Sequence, residues 1–432
     1  MKRTLIAATL VVAGAWSPRS SAQDSAVRTA ECARPPNADT VVLCALAASP
    51  EVREAREHLA AITGRRQTAG LWLPGNPTVG ATVSSRRRPP PEAVTVTNWN
   101  FILSQEFEIG GQRGLRVDVV DAEATAQARR VGVAEQDVAA GALTTFYEAM
   151  AAQESFQFAA ELAQSAQALA RFAEGRAKEA LLAGVEADVA RAEATRIGLA
   201  GLEAQRRLTD SRATLAALLD VNVGGLTLPR QVEMGPTLAP SASLEQQALR
   251  LRGEVVAAEM ERKVLERRLA VVRRERVPNI TLSAFAERGE IADRILGVGL
   301  SVPLPLPAPI GRTQAGEIAE TLAQIRAAES STERVRRRVR VEVARAIAAL
   351  AARDGALALF ADDLLARART DLRSLREAIA LRQLPLREGL QWQRSLVELL
   401  QADIQMRLDR ALALIDLRRV VGLPMIASEG AR

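Results

Sequence analysis

The second half of the chain repeats the plan of the first roughly 200 residues later, and a duplicated plan limits the available folds more than any single motif does. Gly75-Asn76-Pro77-Thr78-Val79 aligns with Pro278-Asn279-Ile280-Thr281-Leu282, and Glu51-Val52 aligns with Glu254-Val255. Further on, Leu103-Ser104 matches Leu300-Ser301, and Gly111 at the start of one long helical pattern matches Gly311 at the start of another. Each half reads as a helix, two short strands, a very long helix and a final helix. A unit built twice in this way points to a symmetric assembly rather than to one active-site pocket.

The helical patterns are unusually long. No proline interrupts the first from near Gly114 to about Leu181, and Val117, Ala124, Val131 and Val138 stand seven apart on a coiled-coil seam. The second is expected from about Arg312 to Leu381, with Ile318, Leu322, Ile325, Val335, Val339, Val343, Ile347 and Leu350 on one stripe. Roughly 68 residues at about 1.5 Å each make a rod of about 100 Å. The remaining helices, Val41 to Leu71 with Leu244 to Arg276, and Glu186 to Asp220 with Leu386 to Val421, are about half as long. Two placed in line match one long helix and can build a uniform cylinder wall. Composition agrees: 48% of residues are hydrophobic but only 3% aromatic, so thin Ala-rich seams replace a thick core.

Between helices lie extended segments of period two. Thr78 to Ser84 puts Val79, Ala81 and Val83 on one face; Leu296, Val298, Leu300 and Val302 alternate with Gly297, Gly299 and Ser301. Val94 to Leu103 and Ile280 to Ala286 complete the set. An apolar face backed by a small, polar one suits a barrel with lipid outside and water inside, although a half-buried soluble sheet has the same local pattern. Four strands cannot close a barrel, and open edges do not survive in lipid; three chains supply twelve. The turns Arg86 to Pro91 and Glu287 to Arg294 are polar, and Trp72 and Trp99 suit either an interfacial belt or ordinary packing.

The N-terminus carries Lys2 and Arg3, an apolar run from Leu5 to about Ala15, and Ser20-Ser21-Ala22. That is a secretory signal peptide cut after Ala22. No later stretch reaches the roughly 18 apolar residues of a transmembrane helix, so membrane insertion has to use strands. In an exported chain Cys32 and Cys44 can pair as a disulfide; two unrelated small residues is the other reading. Arg28-Thr29-Ala30-Glu31 is polar and argues against lipidation of Cys32. The formal charge is +6, and the run Arg334 to Arg340 raises nucleic acid. Val335, Val339 and Val343 recur every four residues there, so the arginines read as the wet faces of a helix. Material for catalysis is scarce: one histidine, His58, no phosphate-binding Gly-Lys-Ser/Thr loop, and scattered methionines. Gly110-Gly111 reads as a strand-to-helix bend. The expectation is no enzyme, no cofactor and no dedicated metal site.

These residues resemble the TolC-like outer-membrane efflux protein family, in particular its cation-efflux (CzcC/CusC-like) branch, from about Thr40 to Met425. The most specific segments are Ser104-Gln105-Glu106-Phe107-Glu108-Ile109-Gly110-Gly111-Gln112-Arg113 and its counterpart Leu300-Ser301-Val302-Pro303-Leu304-Pro305-Leu306. Ala183-Gly184-Val185-Glu186-Ala187-Asp188 and Arg419-Val420-Val421-Gly422-Leu423-Pro424 are also typical. The resemblance implies a mainly α protein with a small membrane β part: a homotrimer with a twelve-stranded outer-membrane β-barrel continued by a periplasmic α-helical barrel. Such proteins are passive exit ducts of pumps completed by a periplasmic adaptor and an inner-membrane resistance-nodulation-division transporter, and the branch implies heavy-metal cations as the cargo.

The implied organisation is a signal peptide (1–22), an N-terminal periplasmic segment (23–40), a first repeat (41–226), a linker (227–243), a second repeat (244–424) and a tail (425–432). Adaptor-docking hairpin tips fall at Ala183, Gly184 and Val185 and at Leu384, Pro385 and Leu386. Asp188 and Glu388, at equivalent places in the repeats, are candidates for a pore constriction; a solvated carboxylate at a helix start is the plainer reading. The second tip departs from the family pattern in having Arg382 where relatives often carry glycine, followed by Pro385 and Trp392. A duct for drugs or for secreted protein, and a periplasmic adaptor or coiled-coil scaffold, are the alternatives.

Overall fold

The computed structural model describes residues 31–34, 37–87, 91, 95–229, 243–288, 293–304, 306, 309–311, 313–360, 367–368, 370–371, 374 and 385–425. The expected signal peptide, most of the linker, the C-terminal tail beyond Met425, Arg382 and Leu384 lie outside them. The elements run α1 (Ala38–Ala48), α2 (Pro50–Ala69), β1 (Thr78–Arg87), β2 (Thr95–Phe107), α3 (Gln112–Lys178), α4 (Gly184–Leu218), a 3-10 turn (Val223–Gly225), α5 (Ser243–Leu251), α6 (Gly253–Arg274), β3 (Ile280–Arg288), β4 (Arg294–Ser301), α7 (Ala315–Leu357) and α8 (Leu386–Val421).

Three helices depart from the sequence expectation. The helix expected from Val41 to Leu71 is broken at Ser49, whose hydroxyl accepts the Val52 N–H at 3.2 Å while Pro50 takes the first helical position. Its counterpart breaks at the equivalent place, Arg252, which caps α6 without a side-chain bond. The second long helix, expected to reach Leu381, is interrupted after Leu357; Arg367, Ala368, Thr370, Asp371 and Ser374 are helical again, and the rest of the expected stretch beyond Phe360 lies outside the described residues. At the interruption Leu359 and Phe360 turn their N–H groups onto Ala356 and Leu357, the tightened bonding of a helix end. Gly311 lies ahead of α7, and the capping residue is Gln314 at φ 57°.

The strands form one antiparallel sheet in the order β1-β2-β3-β4. Thr78 faces Ser104 in the first hairpin and Thr281 faces Ser301 in the second, so the two hairpins share one register. β2 and β3 join them, Ser104 opposite Ser283. Directly opposed residues share a face. One face therefore carries Val79, Val83, Trp99, Phe101, Leu103, Leu282, Leu296, Val298 and Leu300; the other carries Thr78, Thr82, Ser84, Asn100, Ser104, Glu106, Ser283 and Glu287. On that polar face Phe285 lies over Gly297, where a Cβ would come within 2.3 Å of its ring.

The chain divides into two compact units: Ser49–Thr144, Met234–Leu372 and Ser395–Arg432, which include the sheet, and Met1–Ala48, Thr145–Glu233 and Arg373–Arg394. In the sheet unit, Leu244, Ala248, Val255, Val339, Val343, Leu350, Leu417, Val420 and Val421 pack as one apolar cluster. Fully burying each large side chain there contributes about 1.5–3 kcal/mol. The valines of the arginine run thus point inward while Arg334, Arg337, Arg338 and Arg340 are exposed. The terminal motif closes α8: Leu423 N–H reaches Arg418 O at 2.9 Å around Gly422, whose φ is 81°. In the other unit, a turn over 179–183 with Ala180 at φ 59° joins α3 to α4. Cys32 and Cys44 are disulfide-bonded with Cα atoms 5.8 Å apart. Closing so short a loop restricts the unfolded chain, an effect of about 3 kcal/mol. Thr227 N–H, bonded to Ala33 O at 3.0 Å, ties the segment after the 3-10 turn to the same region.

Close helix approach is set by glycine at one position. A Cβ on Gly253 would stand 2.4 Å from Val133 Cγ2, so α6 meets α3 only because the side chain is missing. Gly253→Ala should cost about 1–3 kcal/mol in denaturant unfolding, as overpacking does. Adding Val133→Ala should recover most of it; no recovery would place the strain elsewhere.

Candidate functional site

The segment Gln105 to Arg116 lies between β2 and the first turns of α3, and it binds the chain ahead of β1 and β3. Gly111 has φ 73°, open to glycine at little cost. Gln112 is only 5% exposed. Its amide nitrogen donates to Asn279 Oδ1 at 3.1 Å and to Val277 O at 3.4 Å. Its amide oxygen rests over Gly110, where a Cβ would be 2.8 Å away. Asn279 in turn donates to Glu106 Oε1 at 2.8 Å, and Arg274 donates to Gly110 O. Toward the first repeat, Arg113 Nε donates to Gly70 O at 2.8 Å and its guanidinium covers the Trp72 ring at 4.1 Å. Gln105 donates to Gly75 O at 3.0 Å. Arg116 pairs with Glu108. The motif is therefore a clasp between strand ends and helix ends. It borders a cavity of about 1030 Å³ lined by Glu106, Glu108, Gln112, Asn279, Pro303 and Gln314 among others. Among the described residues no three His, Cys, Asp or Glu side chains converge as metal ligands would.

Among the described residues nothing covers the apolar sheet face: Val79 is 75% exposed, Leu296 83% and Val298 88%. Beside the sheet, Trp72 is 79% exposed; Trp99 is half-buried, its ring 5.4 Å from Phe101. Among the described residues no helix is long and apolar enough to cross a membrane. His58 is exposed, 3.6 Å from Glu54.

In the unit that holds the residues expected at the tips, Ala183 precedes α4 without a side-chain cap, and Gly184 and Val185 open the helix with Val185 exposed. Asp188 is exposed near the start of α4. Pro385 precedes α8 and accepts the Gly389 N–H at 2.9 Å. Leu386 is buried and Glu388 is exposed in the first turn. Glu388, and Glu186 rather than Asp188 in the other helix, sit in the first turn, where a helix N-terminus favours negative charge.

A neighbouring group escaped the sequence reading. Glu193 is 3% exposed and holds Arg196 at 2.6 Å through one oxygen and Arg394 at 2.6 Å through the other. The Arg196 bond, reinforced by Arg394 and opposed by burial, pulls the carboxyl down to about 2. Arg394 lies far along the chain, so no local pattern announces the pairing.

No family model matches the chain. It is 30% identical over 210 residues to the cobalt-zinc-cadmium resistance protein CzcC of Cupriavidus metallidurans, a match covering 46% of this chain and 48% of that protein. The chain thus spans about half the length of the curated relative it matches. Its fold is similar over most of its length to solved outer-membrane channels. CusC, studied for folding and transmembrane channel formation, superposes with a TM-score of 0.74 at 16% identity, covering 90% of this chain and 92% of that one. The outer-membrane channel OprN gives 0.73 at 17% identity, covering 91% of each chain. The chain has the TolC-like fold.

Because the folded Glu193 titrates below its ordinary 4.5, its contribution is complete above about 4.5 and is lost as pH falls through about 2. The full shift corresponds to about 3 kcal/mol. Unfolding midpoints should therefore drop on acidification between about pH 5 and 2.5 more steeply for the native protein than for Glu193→Gln. Equal slopes would rule the triad out as the acid-sensitive element.

Proposed function

We propose that this chain is the outer-membrane channel of a tripartite efflux pump, a passive exit duct that catalyses no reaction. The sheet carries the reading: its apolar face is exposed along the strands, and β1 and β4 present backbone edges with no partner strand among the described residues. In lipid each unsatisfied backbone group costs several kcal/mol, so only a closed barrel is stable. A homotrimer closes it with twelve strands, and strands of 8 to 13 residues are long enough for a tilted crossing of about 25 Å of hydrocarbon. The polar face, with Asn100, Glu106 and Glu287, then lines water, and the helices continue into the periplasm.

The tips at Ala183, Gly184 and Val185 and at Leu384, Pro385 and Leu386 dock a periplasmic adaptor, which links the duct to an inner-membrane resistance-nodulation-division transporter. Asp188 and Glu388 line the narrow end and favour cations over anions. Divalent metal ions are the cargo, a reading supported by the name of the CzcC relative. Resident metal sites are unnecessary for this role, because a duct passes ions that the transporter selects.

The protein should fractionate with the outer membrane as a trimer, and its deletion should sensitise cells to cobalt, zinc or cadmium. A soluble mature protein would end the proposal, and sensitivity to organic toxicants alone would reassign the cargo. In planar bilayers the Asp188→Asn/Glu388→Gln double variant should lose cation preference severalfold while keeping an open pore. Unchanged selectivity would remove both residues from the constriction.

A further inference from the structure

The polar face of the sheet is not polar throughout. The strand register sorts it into rows of directly opposed residues. One row holds Thr78, Ser104, Ser283 and Gly299; the next holds Gly80, Ile102, Phe285 and Gly297; the next holds Thr82, Asn100, Glu287 and Ile295. Large apolar side chains therefore stand together on a face otherwise made of hydroxyls, glycines, amides and carboxylates. Ile102 is 40% exposed and Ile295 43%, and Phe285 is half-buried. Glycines admit them. A Cβ on Gly297 would come within 2.3 Å of Phe285 Cζ, and one on Gly80 within 2.8 Å of Ile102 Cγ2. The two side chains thus lean apart, each over the glycine of its outer neighbour strand.

Charge on this face is lopsided. Glu287 lies one row from Phe285, and Glu106 lies two rows from Ile102 in the other direction. Among the described residues of the face the only cation is Arg86, three rows from Gly80. Glu287 accepts from Asn100 Nδ2 at 3.1 Å through Oε2, and among the described residues it has no ion-pair partner. The cation–π contacts of those residues are made at Trp72 and Phe172, and their ring pairs are Trp99–Phe101 and Phe146–Tyr147. The Phe285 ring is in neither set.

We propose that Phe285, Ile102, Ile295 and Glu287 form a binding subsite for an organic cation, a positive charge carried on an aryl or alkyl body. This rests on the channel reading above, in which this face lines the bore, and goes beyond it by assigning the bore wall a ligand class. The ring offers its negative face to a cation, and the isoleucines take an apolar body out of water. The carboxylate one step along the strand fixes the end at which the charge sits. Same-face residues two apart are separated by about 7 Å, the scale of a benzylammonium. A hydrated metal ion gains nothing here, because apolar neighbours cannot replace the waters it would lose. An anion meets only carboxylates within two rows. Covering the Gly297 backbone accounts for a ring at position 285, but it does not call for Ile295 and an unpaired Glu287 beside that ring.

The test is photolabelling of the full chain in outer membranes with para-azidobenzyl-trimethylammonium, compared with its uncharged isostere in which carbon replaces the nitrogen. Trypsin releases Val277 to Arg288 as one peptide, and label on it is read by mass spectrometry. Only label displaced by excess benzyltrimethylammonium is counted. The cation should label this peptide severalfold more than the isostere. Glu287→Gln, which keeps an acceptor for Asn100, should remove most of that difference. Phe285→Leu, which stays apolar, should lower labelling by the cation severalfold. Equal labelling by the two probes, or labelling that Glu287→Gln leaves unchanged, would overturn the subsite and reduce Phe285 to a cover for Gly297. The Glu287→Gln comparison decides the matter even where Phe285→Leu lowers the yield of folded protein. Mature protein that a salt wash strips from the membrane would overturn the channel reading instead, whatever the labelling.

Discussion

In the channel proposed above, a backbone amide left without a partner in hydrocarbon costs several kcal/mol, and that one penalty organises the assembly. A four-stranded sheet has two edges, each a row of outward N–H and C=O groups. In water such edges are tolerable when short or charged. Here the faces decide the matter, because Val79, Leu296 and Val298 lie open on one side while the glycines and serines opposite cannot form a core. A sheet that is apolar outside and small inside has no fold of its own to complete. In the proposed channel it is a fraction of a larger closed surface.

The second constraint is a mismatch of widths. Neighbouring strands lie about 4.8 Å apart, while packed helices need about 8–10 Å. Each strand here leads to or from a helix, so the chain has to splay at every crossing between the layers. The residues at those crossings are the ones that do this: Pro77 and Pro278 ahead of β1 and β3, Gly110-Gly111 after β2, and Pro303 after β4. Splaying leaves backbone groups without ladder partners, and the clasp satisfies several of them. Gln112 takes Val277 O, Arg113 takes Gly70 O, Arg274 takes Gly110 O and Gln105 takes Gly75 O. The motif is thus a junction, with each side chain assigned to a carbonyl that the change of layer exposes.

What could be read from the sequence follows the range of the physics involved. The strands were legible because alternation is local and both faces differ sharply in polarity; α8 was legible because Pro385 and Gly422 mark its ends. The break at Ser49 carried a legible signature, Ser49-Pro50-Glu51, which a continuous apolar period through Val41 and Val52 concealed. The matching break at Arg252 has no such capping chemistry. It is held by tertiary contacts, with Arg252 buried between Glu254 and Glu342 and the Gly422 turn packed on its backbone. The end of α7 at Leu357 was overlooked because a run rich in alanine and leucine continues the helical pattern past it. Glu193 and Arg394 were invisible for the opposite reason: their meeting depends wholly on how distant helices come together.

Charge has a different part in this protein from the one its arginine content first suggests. Exposed ion pairs contribute about 0–1 kcal/mol each, so the bridges along α2, α3, α6 and α7, such as Arg56–Glu135, Arg267–Asp118 and Arg336–Glu259, add little to stability. Apolar burial in the sheet unit supplies that, through Leu417, Val255 and their neighbours. Yet alanine-rich seams discriminate poorly between registers, since one small side chain packs much like the next. A helix sliding by a turn along such a seam loses little burial but separates every Arg–Glu pair it had. The same logic holds at the buried sites, where a lone charge would be far costlier than the pair is favourable; Glu193 and Arg252 therefore enforce their partners more strictly than surface pairs can. In the sheet unit, the cluster makes the fold stable and the arginines choose which helix stands beside which.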